Sequence, residues 1–138
     1  MNRTMFKINY SFEEESGRDG LDPLGNISMS DERSTILLRT TFLDSWFAAL
    51  VDALEQIQIK KHVSVEIAEE PKALTLDVAL GGQVFVTYAD EKVVAQTRQA
   101  LQAALRTAAC SFLAAVVGLP EAKSNTTLDP IRKFCEAP

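Results

Sequence analysis

Residues 62–90 read HVSVEIAEEPKALTLDVALGGQVFVTYAD, and this stretch decides the fold class. Apolar and polar residues alternate within it in three runs, which is the pattern of half-buried β-strands. Turn-forming residues separate the runs: the first turn contains Pro71, and the second contains Gly81 and Gly82. The glycine pair can supply the positive φ that a two-residue hairpin turn requires. The stretch therefore predicts three consecutive antiparallel strands.

Pairing across these turns fixes which side chains share a face of the sheet. The predicted registers place Leu76 opposite Thr87 in one hairpin and opposite Val65 in the other. The core face then carries Val63, Val65, Ile67, Leu74, Leu76, Val78, Leu80 and Phe85. The opposite face carries Ser64, Glu66, Thr75, Asp77, Ala79, Val84, Val86 and Tyr88. Because the last three are more apolar than a solvated face requires, we expect the N-terminal segment, the C-terminal tail or another chain to cover them.

Two further strands are predicted before this stretch. Residues 6–12 alternate in polarity, and residues 34–40 also have the composition of a strand. Between them, residues 16–33 are rich in Gly, Asp and Pro and are predicted to form a long loop. Within that loop, residues 26–30 could be either strand or loop.

A first helix is predicted over residues 42–58. Apolar residues recur there at steps of three and four, as on one face of an α-helix. Thr41 is the predicted N-cap, with Asp44 as its capping-box partner. The apolar stripe consists of Leu43, Trp46, Phe47, Leu50, Val51, Leu54 and Ile57.

A second helix is predicted from an Asp90 cap through residue 117, where Gly118 and Pro120 end it. Its segment 108–119 is uncharged and apolar but too short to span a membrane. We expect this end to be buried either within its own fold or against a second copy of the chain. Five small or apolar residues are candidates for such an oligomer interface: Ala104, Ala108, Phe112, Val84 and Val86.

These elements predict a single α+β domain over residues 1–120. Its antiparallel sheet of about five strands carries two helices on one face, connected β-β-α-β-β-β-α. Residues 121–138 are expected to form a partly ordered tail that docks through Ile131 and Phe134.

Composition limits the function. The formal charge of −5, with scattered Lys and Arg residues, argues against a nucleic-acid partner. The first sixteen residues lack the apolar segment of a secretion signal, so a cytoplasmic location is expected. Cys110 and Cys135 are accordingly expected to be reduced, and a bridge between them is the less favoured alternative.

Few residues could carry chemistry. The sequence has one histidine, His62, and none of the common nucleotide, hydrolase or metalloprotease motifs, so no metal or cofactor is predicted. A cation site built from Glu15, Asp19 and Asp22 is conceivable, although a solvated charged loop is the preferred interpretation. Candidate ligand-binding or interaction residues share the second sheet face or border a pocket beside the first helix: Glu66, Asp77, Tyr88 and Trp46.

Three functions remain open. The first is a non-catalytic interaction or regulatory module that self-associates or binds another protein. The second is a small-molecule-binding domain with a pocket between the first helix and the sheet, near Trp46. The third is an enzyme without a familiar motif, in which Glu66 and Asp77 act as a general acid–base pair.

Overall fold

The computed structural model describes residues 6–14 and 18–137. In these residues the chain is α+β, with seven strands in two antiparallel sheets and three α-helices. The strands are β1 (Lys7–Phe12), β2 (Leu24–Ser30), β3 (Thr35–Phe42), β4 (His62–Glu66), β5 (Ala73–Val78), β6 (Val84–Tyr88) and β7 (Glu91–Ala95). The helices are α1 (Leu43–Gln56), α2 (Arg98–Val116) and α3 (Leu128–Glu136), and a 3-10 turn (Ala122–Ser124) precedes α3.

The predicted fold class is confirmed, but the single five-stranded sheet is wrong. One sheet has the order β1-β2-β3 and the other has the order β4-β5-β6-β7. One of the two additional strands, β2, lies within the predicted loop, where Gly25, Ile27 and Met29 alternate inward. The other, β7, replaces the start of the predicted second helix.

The prediction that the second helix begins at Asp90 is wrong. Residues 91–95 instead pair with β6, with Glu91 opposite Tyr88 and Ala89 in the left-handed region at the turn. Asp90 followed by Glu91 resembles a helix start, but a two-residue turn here lets Val93 and Ala95 enter the core. The helix begins later, where the Thr97 side chain accepts a hydrogen bond from the Ala100 N–H at 2.9 Å.

The predicted register of the second hairpin is also wrong. Leu76 pairs with Val86 rather than Thr87, which is a shift of one residue. Such a shift transfers a whole strand to the other face. Val84, Val86 and Tyr88 consequently lie in the core, whereas Leu80 is fully exposed and Phe85 is partly exposed. The first hairpin differs by two residues, with Val65 opposite Leu74, so its predicted faces are unchanged.

The core between the sheets and helices is centred on aromatic residues. Trp46 and Phe47 of α1 are fully buried. Phe47 stacks on Phe112 of α2 with ring centroids 4.9 Å apart, and Tyr10 meets both phenylalanine rings edge-on. The predicted stripe of the first helix is therefore its buried face. The predicted Thr41 cap is wrong, because Phe42 occupies the N-cap and makes no side-chain capping hydrogen bond.

The apolar end of α2 is covered in part by the C-terminal segment. Ala108, Ala109, Phe112 and Val116 are buried, and α3 packs against the helix. The α3 helix contributes its own apolar side to this contact, since Leu128, Ile131 and Phe134 are buried. None of the helices in the described part of the chain is long and apolar enough to cross a membrane.

A disulfide joins Cys110 of α2 to Cys135 of α3, with Cα atoms 5.6 Å apart. The expectation of two reduced thiols is therefore corrected. The pairing depends on α3 folding back beside α2, because the two cysteines are 25 positions apart in the sequence. Cysteine spacing alone does not reveal such a contact.

The two sheets meet at β3 and β7. Between them, the Asp31 carboxylate accepts hydrogen bonds from the backbone N–H groups of Arg33, Ser34 and Val94 at 2.7–2.8 Å. Burial alone would raise the pKa of Asp31, but these N–H donors and the Arg33 charge hold it below its ordinary value of 3.8. Asp31 thus fastens the β2–β3 turn to the outer edge of β7.

Candidate functional site

The structure does not bring the predicted acid–base residues together. Glu66 pairs with Ala73, whereas Asp77 pairs with His62. The two carboxyl residues are therefore four positions apart along the hairpin, or about 13 Å at the rise of a β-strand. Asp77 instead contacts Nδ1 of the exposed His62 at 2.5 Å. Tyr88, predicted on the same face, is buried on the other one.

The remaining sequence-predicted residues lie in the core. Trp46 is fully buried and therefore does not border an open pocket. The interface candidates Val84, Val86, Ala108 and Phe112 are also buried, and Ala104 is partly buried against the core. The rest of the same chain therefore covers most of the surface that was predicted to form an oligomer interface.

A groove runs along the exposed side of α1. It consists of two neighbouring cavities of about 490 and about 400 Å³, which share Ser45, Ala68 and Thr127. Its floor is α1, including Ala48 and Asp52. One wall is the β4–β5 loop, and the other is the segment 124–127 together with Pro130 in the first turn of α3. Residues far apart in the sequence therefore form this groove.

Glu70 holds the β4–β5 wall in place. Its Oε2 accepts a hydrogen bond from the Thr41 hydroxyl at 2.5 Å, and its Oε1 accepts one from the Tyr88 hydroxyl at 3.1 Å. Thr41 in turn accepts a hydrogen bond from Trp46 Nε1 at 3.1 Å. The next residue back, Glu69, has a φ of 71° and lines the groove. A largely buried network thus fixes the loop against β3, α1 and β6.

The surroundings of Tyr88, including its contact with Glu70, change the pKa of its phenol. Burial raises the pKa of its phenol, and the hydrogen bond to the Glu70 carboxylate and the negative charge of that group raise it further. A hydrogen bond from the Lys72 backbone lowers it in part. Tyr88 therefore acts as a neutral donor that holds Glu70.

Asn125 holds the opposite wall. Its Nδ2 donates to the Asp44 carboxylate at 2.9 Å and to the carbonyl oxygens of Gly20 and Leu21 at 3.0 and 3.2 Å. Its Oδ1 accepts from the Thr127 N–H at 3.0 Å. Asn125 is buried, so these bonds form away from bulk water. They connect the segment that precedes α3 to the start of α1.

Gly20 permits the close approach that these bonds require. Its N–H donates to the Pro120 carbonyl at 3.0 Å. A Cβ atom on Gly20 would lie only 2.6 Å from that carbonyl oxygen and from the Ala122 nitrogen. Only glycine fits between these two backbone segments without a shift.

Carboxylates dominate the groove. Six acidic residues line the two cavities: Asp22, Asp44, Asp52, Glu55, Glu66 and Glu69. No Lys or Arg of the described residues belongs to either lining. Burial raises the pKa of Asp44 above its ordinary value of 3.8, although the hydrogen bond from Asn125 opposes this shift. The groove is thus suited to a positively charged ligand.

The groove adjoins a sheet edge. Within the described residues, β5 is the only strand that pairs with β4. The Val78 N–H donates to the Lys61 carbonyl at 2.8 Å, so the odd-numbered residues of β4 are those that bond to β5. Alternation then directs the backbone N–H and C=O groups of His62, Ser64 and Glu66 toward the open side. Glu66 also lines the groove.

A smaller cavity of about 290 Å³ lies where the two sheets meet. Asp31, Phe85 and Val94 are among its lining residues. The Lys92 ammonium lies over the Phe85 ring, 4.9 Å from its centroid. Asp31 already accepts three backbone hydrogen bonds there, so its carboxylate is engaged in holding the two sheets together.

The described residues provide no cluster of three His, Cys, Asp or Glu side chains able to hold a metal ion. Of the conceivable cation site, Glu15 lies outside the described residues. Asp19 Oδ1 accepts hydrogen bonds from the N–H groups of Leu21 and Asp22. Asp19 therefore stabilises its own loop.

No family model, curated protein or solved structure matches the chain significantly. The geometry of the chain itself therefore carries the functional argument.

Sequence reasoning missed the two residues that brace the groove. Glu70 belongs to a turn signal, and Asn125 belongs to the predicted tail. Each acts on partners distant in sequence: Glu70 is 29 residues from Thr41, and Asn125 is 81 residues from Asp44. Neither contact has a local sequence signature.

Proposed function

We propose that this protein is a non-catalytic protein-interaction module whose partner occupies the groove between α1, the β4–β5 loop and the segment before α3. The observation that supports this proposal is the construction of the groove. Hydrogen bonds brace both walls: those of Glu70 on one side are partly buried, and that of Asn125 to Asp44 on the other is buried. A braced site loses little conformational entropy when a partner binds, which favours affinity.

The arrangement of polar groups favours binding over catalysis. Glu66 and Asp77 are too far apart to share a proton or a substrate atom, and Asp77 is engaged with His62. Glu70 and Tyr88 do meet, but both are used to hold a loop. The small-molecule alternative near Trp46 loses its motivation, because Trp46 is enclosed.

Self-association and a cytoplasmic location stay predictions. The residues first assigned to a dimer interface are mostly enclosed by their own chain, so a dimer would have to use another surface. The bridge between Cys110 and Cys135 counts against the cytoplasmic prediction, because disulfides persist mainly in oxidising compartments. The proposal requires only that a protein segment bind in the groove.

Selection from a displayed library of random peptides tests the proposal. We expect enriched peptides that bind the wild-type protein but not Ala48→Gln, because the longer side chain projects from the groove floor. Glutamine is a good helix former, so the change should leave α1 intact. Circular dichroism and thermal unfolding check that the variant folds.

Ala103→Gln is the matched control. Ala103 is exposed on α2 and outside the groove, so the same substitution there should not affect binding. If the selected peptides bind both variants equally, or if no peptide is enriched, the proposal is wrong.

A further inference from the structure

We propose that the groove receives an extended, Lys- or Arg-bearing protein segment, which pairs with β4 as an additional strand. This inference rests on the proposed function and adds the conformation and charge of the partner. Two separate features support it: the backbone groups at the open edge of β4, and the carboxylate side chains that line the groove.

The outer edge of β4 carries backbone groups that no other strand of the described residues pairs. His62, Ser64 and Glu66 direct N–H and C=O groups outward, which gives an extended segment a row of alternating donors and acceptors. Strand addition to an exposed edge is a recurrent mode of peptide recognition. An added strand would continue the second sheet and place alternate side chains toward α1.

The other sheet edges suit this role less well. At the far end of the same sheet, the β7 edge faces β3, and its Val94 N–H already donates to Asp31 at 2.8 Å. In the first sheet, β1 lies under α2, where the Tyr10 and Ser111 hydroxyls are 2.9 Å apart. The β4 edge is the one that adjoins the groove.

The carboxylates around the groove indicate the chemistry of the partner. The side of α1 that faces the groove carries Asp52 and Glu55, both exposed, and Glu66 lies across from them. Side chains that project from an added strand toward α1 would lie close to these three carboxylates. Cationic side chains fit there, and carboxylates would be repelled. The net charge of −5 adds to the attraction at longer range.

A second copy of the chain is the main competing occupant. Antiparallel pairing of two β4 strands about Ser64 would place His62 of each copy opposite Glu66 of the other. However, it would also bring together two chains of net charge −5. We therefore assign the edge to a basic partner and use self-association as an outcome of the test.

The probe is a fluorescein-labelled decapeptide of alternating Lys and Thr, measured by fluorescence anisotropy at about 20 mM and about 500 mM salt. A Glu-Thr decapeptide of the same pattern is the charge control. A Lys-Thr decapeptide N-methylated at all of its backbone amides is the backbone control, because methylation of alternate amides would leave one edge of the peptide able to pair. We expect only the unmodified Lys-Thr peptide to bind, and to bind more weakly at high salt.

Ser64→Pro tests strand pairing. It removes an N–H that points away from β5, so the β4–β5 ladder keeps its hydrogen bonds. The peptide carbonyl loses its donor, and we expect Kd to rise about tenfold. Ser64→Ala is the control and should leave Kd unchanged.

Asp52→Lys tests the charge argument and should also raise Kd about tenfold. Glu91→Lys, an equal charge change on the distant strand β7, is its control and should have a much smaller effect. Light scattering of the wild-type protein and of Ser64→Pro, made alongside the titrations, measures whether either protein forms a dimer.

The outcomes separate this inference from the proposed function. Loss of binding in Ser64→Pro and Asp52→Lys, with both controls intact, supports the inference. Binding that survives Ser64→Pro overturns strand pairing while the groove remains a binding site. In another outcome, the Lys-Thr peptide fails to bind while the display selection yields peptides of other composition that depend on the groove. That result overturns only the claim that the partner is basic. A dimer that Ser64→Pro dissociates assigns the edge to a second copy and overturns the inference.

Discussion

Breaking the Cys110–Cys135 bridge should destabilise the protein without unfolding it. The bridge closes a loop between residues 25 apart in the sequence. The chain-entropy relation for a loop of that size gives about 12 cal/mol/K, or about 3.5 kcal/mol at 25 °C. Because a domain of this size is stable by about 5–15 kcal/mol, reduction should remove a large part of its free energy of unfolding.

The reduced protein should remain folded because α3 has other anchors. Leu128 and Ile131 are fully buried, and Phe134 is nearly so. Burying a side chain of this size contributes about 1.5–3 kcal/mol. The Arg106 guanidinium also donates to the carbonyl oxygens of Phe134 and Ala137, at 3.1 Å each. These contacts should keep α3 on α2 after reduction.

Urea unfolding with and without a phosphine reductant measures this effect. Cys110→Ser/Cys135→Ser should match the reduced protein and be insensitive to the reductant. A thiol titration of the oxidised protein, in denaturant, should find no free thiol. Two free thiols in that titration, or the same urea midpoint with and without the reductant, would refute the assignment of this bridge.

Three further substitutions give predictions of different kinds. Gly20→Ala should cost about 1–3 kcal/mol by overpacking, whereas Gly118→Ala, with open space around it, should be near neutral; equal urea midpoints would contradict the close approach. Phe112→Ala should cost about 3–5 kcal/mol in urea unfolding; an unchanged monomer stability with loss of a dimer would instead make Phe112 an interface residue. The Asp44 pKa is raised by burial, so its contribution to stability is complete below pH 3.8 and falls as pH rises through the native pKa. Thermal unfolding should therefore show Asp44→Asn gaining stability relative to wild type as pH rises through that range, and a constant difference would contradict the shift.

The elements that depend on local periodicity could be predicted from the sequence. The stripe of α1 and the alternation of β1 each extend over enough residues to fix a period and a buried face. The β6–β7 hairpin could not be predicted in this way. Asp90 and Glu91 resemble a helix start, whereas Val93 and Val94 favour a strand. Pairing with β6 decides between these alternatives.

The register of the β5–β6 hairpin depended on its loop. A two-residue turn at Gly81 and Gly82 would have kept Phe85 inside. The structure instead closes the loop with hydrogen bonds from the Ala79 N–H to the Gln83 carbonyl, and from the Gly82 N–H to the Ala79 carbonyl. This longer loop moves the pairing by one residue. The apolar second face, which had favoured a dimer, consequently becomes part of the core.

The candidate site was less accessible to sequence reasoning than the fold, because its two walls are irregular segments. Such segments lack the repeating backbone hydrogen bonds of a helix or strand, so side-chain hydrogen bonds to other elements hold them in place. Glu70 takes its donors from β3 and β6, and Asn125 reaches Asp44 of α1. Each brace therefore both holds a loop and fixes one wall of the groove. Loss of either brace should consequently affect the stability of its loop and the shape of the groove together.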